Sequence, residues 1–348
     1  MTTTPTVLEP EHVASPAEPA PLGRGSLFRA EAHRFRSRRF IRWLLLLSVV
    51  GYLIAAPLIA VTQFSKTNAT VLQDAQRKMD KVVTEQEQFR QQCLNDPNRP
   101  SDVPEDQVCG PEQSGSDFRL TDFIDPPPFQ LADALPAGAI AVGVATAMLA
   151  FLIGATYVGA EWSSRSMVAL LFWEPRRLKV MGVKLAVTAV GAALLGVLTQ
   201  AVWWGTAEIV ARTRGDRANL PADFWPDLFG QQGRAVLFVV LTALLGFGIA
   251  NLIRHTAAAL GAGFVYLVIV ENLVRGFFPS WQPWLLVENV SGLLSRDGHT
   301  VYIYENDPVG DGVREVLISN VRGGLVLGIL TAVIVVIGVL LFKRRDLH

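Results

Sequence analysis

Six long apolar segments, separated by polar stretches, dominate the hydrophobic pattern of this chain. An α-helix needs about 20 residues to cross a bilayer at its rise of about 1.5 Å per residue, and all six segments qualify. Because backbone polar groups must be satisfied internally in lipid, continuous runs of this length predict helices and not a β-barrel. The predicted spans are 41–63, 136–160, 180–210, 235–253, 256–274 and 321–342.

The composition agrees with a membrane protein. The chain is 50% hydrophobic and only 18% charged, whereas soluble domains contain roughly 25% charged residues. The formal net charge is zero, which argues against nucleic acid as a partner. We therefore expect an all-α integral membrane protein embedded in the lipid bilayer.

The distribution of Lys and Arg predicts the orientation of the spans. With residues 1–42 in the cytoplasm, the inside segments hold sixteen of these cations, against four in each of the two shorter outside loops. Cytoplasmic loops are enriched in Lys and Arg, whereas long loops such as 64–135 cross the membrane largely regardless of charge. We expect both termini in the cytoplasm, a multi-pass protein of the cell membrane, and a long extracytoplasmic loop at 64–135.

Two segments precede the first span. Residues 1–23 are rich in Thr, Pro, Ala and Glu without apolar periodicity, which predicts a disordered tail. Residues 24–42 hold seven arginines and one acid, Glu31. A basic amphipathic helix over 24–40, lying at the cytoplasmic membrane surface, fits this pattern. Its predicted apolar face is formed by Leu27, Phe28, Ala32 and Phe35. The alternative is a run of basic residues whose only role is to orient the first span.

The outer loop 64–135 contains the only two cysteines, Cys93 and Cys109. Its first half lacks Pro and Gly and carries apolar residues at helical spacing, so we expect the first span to continue outward as a helix. The predicted oxidising location favours a Cys93–Cys109 disulfide, which is worth roughly 3 kcal/mol for a loop of about 15 residues. Two distant Cys supply too few ligands for a metal site.

The second outer segment, 275–320, begins with Pro279, Trp281, Pro283 and Trp284. These residues predict a re-entrant or interfacial turn, since Trp rings prefer headgroup depth. The acidic stretch 305–311 that follows is expected to be a solvated loop.

Few polar residues fall within the predicted spans. Glu271 lies four residues before Arg275 near the outer end of the fifth span, where the pair could anchor the helix or line a transport path. Asn251 and Gln200 could line a polar path or form hydrogen bonds between helices.

Catalytic motifs are missing from the sequence. It contains no Gly-Lys dipeptide and therefore no Walker A loop, no His-Glu-x-x-His and no Gly-x-Ser-x-Gly. We expect no catalytic residue, no metal site and no cofactor bound by this chain itself.

The stretch Glu161–Lys184 carries the most informative pattern. It holds an acid, a short apolar segment ended by Pro175, and a basic cluster, all between the second and third spans. This pattern suggests a docking surface on the cytoplasmic side, and an ordinary basic loop is the alternative. The residues that we assign to docking are Glu161, Trp162, Met167, Leu170, Leu171, Pro175, Arg176 and Arg177.

This stretch resembles the permease subunits of ABC-2-type exporters. Those proteins carry, after their second span, an acid, a short helix with Leu-Leu, then Pro-x-x-Arg and a Lys-Leu that opens the third span. Matching positions here are Glu161, Ser164, Ser166, Leu170, Leu171, Pro175, Arg176, Arg177, Lys184 and Leu185. Arg165-Ser166 stands where the family has Gly-Thr, and the loop 64–135 is longer than in many members.

The resemblance implies a permease that works with a separate ATP-binding subunit. The helix in 161–179 would be the coupling element, 24–40 would be the connecting helix, and 41–345 would form the six-span permease domain. ATP and Mg would be bound by the partner, and the permease would pair with itself or with a related chain. Two other classes compete: a scaffold or receptor acting through the outer disulfide loop, and a secondary transporter. The scarcity of mid-bilayer charges disfavours the secondary transporter.

Overall fold

The computed structural model describes residues 24–100, 103–164, 166–173, 175–216, 220–307 and 310–344. The predicted tail at 1–23 and Arg165 of the docking stretch lie outside these residues. A 14-residue helix, α1 (Arg24–Ser37), comes first, as the basic amphipathic pattern predicted.

Among the described residues, six helices are long and apolar enough to cross a membrane, in agreement with an all-α membrane protein. The first five are α2 (Arg39–Gln63), α5 (Leu131–Ser163), α7 (Arg177–Arg214), α8 (Phe224–Ile253) and a continuous helix, Thr256–Phe277. That continuous helix consists of α9 (Thr256–Val265), a π-helical turn at Tyr266–Val270, and α10 (Glu271–Phe277). The sixth span is α12 (Asn320–Arg344).

The core of the bundle is formed where α5, α7 and α8 cross. In the most apolar window of each of these three helices 39% of the residues are buried, whereas none is buried in the corresponding window of α2. Small residues make the α5–α8 contact close: a Cβ atom on Gly154 would collide with the carbonyl oxygen of Ala243. In lipid, where apolar contacts give little driving force, such close backbone approach stabilises helix pairs.

Contacts between helix ends define two ends of the bundle: Glu161 at the end of α5 lies beside Lys184 near the start of α7, and Phe129 before α5 lies beside Phe64 after α2. We call the end that carries α1 the N-terminal face. It also holds α6 (Ser166–Trp173), the short helix between α5 and α7. Phe342, near the end of α12, packs into the same cluster of buried residues as Met167 of α6. The other end is called the opposite face.

The segment after α2 departs from the expected continuous helix. The chain breaks at residues 64–68 and resumes as α3 (Ala69–Leu94). Two interactions account for the break. The Phe64 ring packs edge-on against Phe129, with ring centres 5.0 Å apart. The side chain of Asn68 then caps the new helix by accepting a hydrogen bond from the Val71 N–H at 2.9 Å.

The remainder of this segment consists of short elements, and the predicted disulfide joins the end of α3 to the residue after α4 (Glu105–Val108). Cys93, near the end of α3, is bonded to Cys109, which follows α4. The predicted pairing is therefore confirmed. Further along, β1 (Phe129–Gln130) pairs in parallel with β2 (Gly215–Asp216), which ties the segment to the end of α7.

The acidic stretch 305–311 is not the solvated loop expected from the sequence. Its described residues, 305–307 and 310–311, lie in the two strands of an antiparallel hairpin, β3 (His299–Asp307) and β4 (Gly310–Ile318). The alternation typical of a half-buried strand is visible in retrospect: Val301 and Ile303 are buried, whereas Tyr302 and Tyr304 between and after them are exposed. Before the hairpin lie a 3₁₀ turn at Pro279–Trp284 and α11 (Leu286–Leu294). The turn exposes both Trp281 and Trp284, as an interfacial turn would.

Candidate functional site

The connection between α5 and α7 is a short helix bounded by tight turns. The Ser164 N–H bonds to the carbonyl of Ala160 at 3.1 Å, and the Ser164 and Ser166 hydroxyls lie 3.0 Å apart. At the other end α6 stops at Trp173, just before Pro175, which cannot continue a helix. The element predicted from the sequence is therefore a separate helix between two spans.

Most of the apolar residues that we assigned to docking are covered by the chain itself. Met167 is completely buried beside Tyr157, Met181 and Phe342, and Leu170 is 8% exposed. Leu171 and Trp162 are half-buried against the same cluster. The Trp162 ring packs edge-on against Phe342, with ring centres 5.8 Å apart. Met167 and Leu170 are thus covered within the chain itself, and their assignment to docking stays a prediction.

The exposed residues described in this connection include Phe172 and a basic turn. Phe172 is 84% exposed, the highest exposure of any large hydrophobic side chain among the residues described. Pro175 and Arg176 follow it on the surface. Arg177 is half-buried, and its guanidinium reaches the carbonyl of Lys343 at 3.4 Å, joining α7 to the end of α12. Phe172 and Arg176 are consequently available to a partner.

Immediately behind α6 lies a buried cluster of charges. Lys184 of α7 is fully buried, and its Nζ lies 2.6 Å from Glu31 Oε2 and 2.9 Å from Glu161 Oε2. Arg38 approaches Glu161 from the other side, at 2.6 Å from Oε1. Two buried carboxylates therefore face Lys184 and Arg38, and the exposed Arg34 also lies 3.2 Å from Glu31 Oε1. We call Glu31, Arg38, Glu161 and Lys184 the charge cluster.

Tyr157 of α5 completes the polar contacts. Its hydroxyl donates to Glu31 Oε2 at 2.7 Å. The Arg38 guanidinium and the Lys184 ammonium each lie 5.0 Å from the centre of its ring, within the range of cation–π attraction. Such partners are what buried charges require, since an uncompensated ion in a low-dielectric interior is strongly unfavourable.

The protonation of Glu31 shows how these partners act. Burial alone would raise its pKa, but the Lys184 charge and the hydrogen bonds from Lys184 and Tyr157 outweigh burial and hold the pKa below the ordinary value. Glu31 is therefore a carboxylate at neutral pH. Through it, α1 is fixed to α5 and α7 at the point where α6 emerges.

A second acidic group lies at the opposite face, around Glu271. Glu271 Oε1 accepts a hydrogen bond from the Val287 N–H at the start of α11, at 3.0 Å. Arg275 lies 3.9 Å from Glu271 and 2.7 Å from Glu288. Glu288 also approaches His299 Nε2 at 2.8 Å. These contacts favour the interpretation of Glu271 and Arg275 as anchors that hold α10, α11 and the hairpin together.

Gln200 and Asn251 form hydrogen bonds between helices. Gln200 of α7 donates to the carbonyl of Ala139 in α5 at 2.9 Å. Asn251 of α8 accepts from the Trp162 indole at 3.2 Å. Both side chains are buried, so the structure favours the inter-helix role over a polar path. In the described part of the chain no group of three or more His, Cys, Asp and Glu could hold a metal ion.

Two residues of this site escaped the sequence analysis. Glu31 was visible only as the single acid among seven arginines, without any indication of its partner. Phe172 belongs to an apolar segment of only eight residues. A segment this short does not show which of its sides is buried. Both become recognisable only when α1 and α6 are placed against the bundle.

Comparisons with known proteins do not identify the chain. No model of a known protein family matches the sequence. No curated protein is significantly similar to it.

Proposed function

We propose that the chain is the membrane-spanning permease subunit of an ATP-driven ABC-2-type transporter, most simply an exporter. The observation that carries the proposal is the short helix α6, which exposes Phe172 at its end and is backed by the charge cluster. The resemblance of 161–184 to the ABC-2 pattern supplies the family. The six spans and the preceding basic helix α1 agree with it.

The same proposal fixes the orientation. The N-terminal face, with its excess of Lys and Arg, contacts the cytoplasm, and the disulfide lies at the outer, oxidising side of the cell membrane. A cytoplasmic ATPase can then reach α6. The hydrolysis of ATP, with its Mg, takes place in that partner, and this chain contributes no catalytic residue.

Coupling requires that movement of α6 reaches the spans. Met167 and Leu170 hold α6 against the bundle, and Lys184 joins α7 to Glu161 at the end of α5 and to Glu31 in α1. A push on Phe172 would thus act on α1, α5 and α7 together. Two such chains, identical or related, would rock between inward- and outward-open arrangements around a path between them.

Co-purification tests the proposal. The tagged protein is extracted from its native cells in gentle detergent, and the proteins that accompany it are identified by mass spectrometry. We expect an ABC-type ATPase with the unmutated protein and at least a tenfold loss of it with Phe172→Asp. The matched control is Phe89→Asp, since Phe89 is 69% exposed on α3 at the opposite face.

The outcomes separate the proposal from its competitor. An ATPase retained equally by both variants would overturn the docking role of Phe172. If no ATPase accompanies the folded, unmutated protein, the permease proposal fails. The scaffold or receptor function would then be favoured, because α3, α4 and the disulfide form an ordered extramembrane element able to bind a partner.

A further inference from the structure

A groove of about 1000 Å³ runs along the N-terminal face between α1 and the bundle. Its floor is made by Ala150, Ala192 and Ala243, one from each of the three core helices, and their short side chains leave the space open. The groove continues along exposed Leu194 and Leu198 of α7, within a membrane-spanning helix. Its interior is therefore apolar and lies at bilayer depth.

Phe35 shows how α1 is held beside this groove. Its ring lies against Gly191 of α7, where an added Cβ atom would come within 3.0 Å of the ring. Its other contact is the ring of Tyr157, at 5.0 Å between centres. The glycine thus lets α1 approach α7 closely at this point, while the alanines next to it leave the groove unfilled.

The rim of the groove is basic. Arg29, His33 and Arg36 of α1 and Arg42 of α2 border it, and all four are exposed. Arg34 and Arg38 of the same segment pair with Glu31 and Glu161. In contrast, none of Arg29, Arg36 and Arg42 has a carboxylate within ion-pair distance among the described residues.

We propose that this groove binds one anionic phospholipid from the adjacent leaflet. The phosphate would contact Arg36 and Arg42, since guanidinium groups bind phosphate by charge-assisted hydrogen bonds. An acyl chain would lie along the alanines and leucines. Free phosphate would leave that apolar wall uncovered, whereas a lipid satisfies both parts. The proposal is independent of whether an ATPase binds α6.

Native mass spectrometry from mixed micelles tests the site. The protein is equilibrated with phosphatidylglycerol and phosphatidylcholine of identical acyl chains, and the one-to-one lipid adducts are measured. We expect preferential retention of phosphatidylglycerol. The double variant Arg36→Gln/Arg42→Gln should lose roughly thirtyfold in this preference, from about fivefold for each cation near an anionic lipid.

Arg39→Gln/Arg344→Gln is the control, because both arginines are exposed at the same face but neither borders the groove. It should retain the preference. Equal retention of the two lipids by the unmutated protein would overturn the proposal, and this comparison decides even if the double variant does not fold. Displacement of the adduct by millimolar glycerol phosphate would also overturn it, because the ligand would then be a free phosphate.

Discussion

The two ends of the bundle are held together in different ways. At the N-terminal face the helices are connected by buried ion pairs: the side chain of Lys184, which is 0% exposed, lies between Glu31 and Glu161. At the opposite face the connections are a disulfide, short strand pairs, an ion pair of Arg275, which is 46% exposed, with Glu288, and a contact of His299, which is 39% exposed, with the same carboxylate. Salt and solvent screen the exposed Arg275–Glu288 ion pair, whereas they hardly reach the buried Lys184.

The difference has a mechanical meaning. Covalent bonds and backbone pairing brace the opposite face largely independently of individual side chains. A buried ion group is stable only while every partner stays in place, because removal of one leaves an uncompensated charge. We propose that an ATPase acts at the N-terminal face. Displacement of one charged side chain there would alter the contacts of three helices, α1, α5 and α7.

The largest effect is expected from Lys184→Met. It leaves Glu31 and Glu161 buried without their shared cation, and breaking such a group costs about 3–5 kcal/mol. We expect a strongly lowered melting temperature in detergent. The control Lys343→Met removes an exposed cation from the same face and should change little.

The triple variant Lys184→Met/Glu31→Gln/Glu161→Gln separates charge from packing. It removes the buried charges together and should recover a large part of the lost stability. If it is no more stable than Lys184→Met alone, burial of unpaired charge is not the cause of the loss.

The next largest effect is local to the opposite face. Replacement of both Cys93 and Cys109 by Ser removes a cross-link worth roughly 3 kcal/mol on the chain-entropy model. We expect faster hydrogen exchange and proteolysis within 95–108, with the spans unchanged. Equal destabilisation of α1 or α6 would contradict the separation of the two ends.

A matched pair of arginine variants compares the ends directly. Arg38→Gln removes the ion pair with Glu161. The side chains of Arg38 and Glu161 are 22% and 6% exposed. Arg275→Gln acts at a half-exposed arginine. We expect about 2 kcal/mol for the first and about 1 kcal/mol or less for the second, measured by thermal unfolding. A reversed order would contradict the comparison.

The smallest effect is expected from pH. Because the pKa of Glu31 is lowered in the folded protein from its ordinary value of 4.5, its stabilising contribution is complete above that value. It is lost as pH falls through the lower folded pKa, since the unfolded state then binds the proton more readily. Melting curves between pH 7 and 3 should show this loss in the unmutated protein and less of it in Glu31→Gln.

The sequence predicted the spans well because a run of about twenty apolar residues is rarely anything other than a membrane-spanning helix. For 136–160 the helix starts at Leu131, five residues earlier, since a polar first turn at Asp133 carries no hydropathy signal. The disulfide followed from having only two cysteines on one predicted side. The break at 64–68 was missed because this segment has no Pro or Gly and carries apolar residues at helical spacing. The cap at Asn68 gives only a weak signal against that pattern.

The functional side chains were harder to predict. Leu170 and Phe172 are both apolar and two residues apart, yet one is buried and the other is exposed. Leu170 faces Arg34 and Arg38, which belong to a segment more than 130 residues earlier in the chain, so its burial depends on a distant element. The partnership of Glu31 with Lys184 likewise spans 153 residues, a distance over which sequence patterns give no pairing.

Cross-linking from position 172 tests the central claim most directly. Both native cysteines are in the disulfide, so Phe172→Cys provides a unique thiol for a short heterobifunctional linker in inverted membrane vesicles. The account predicts labelling from the cytoplasmic side and a cross-link to an ABC-type ATPase whose yield changes with ATP and Mg. Labelling only from the outer side, or labelling without any ATPase adduct in active vesicles, would contradict it.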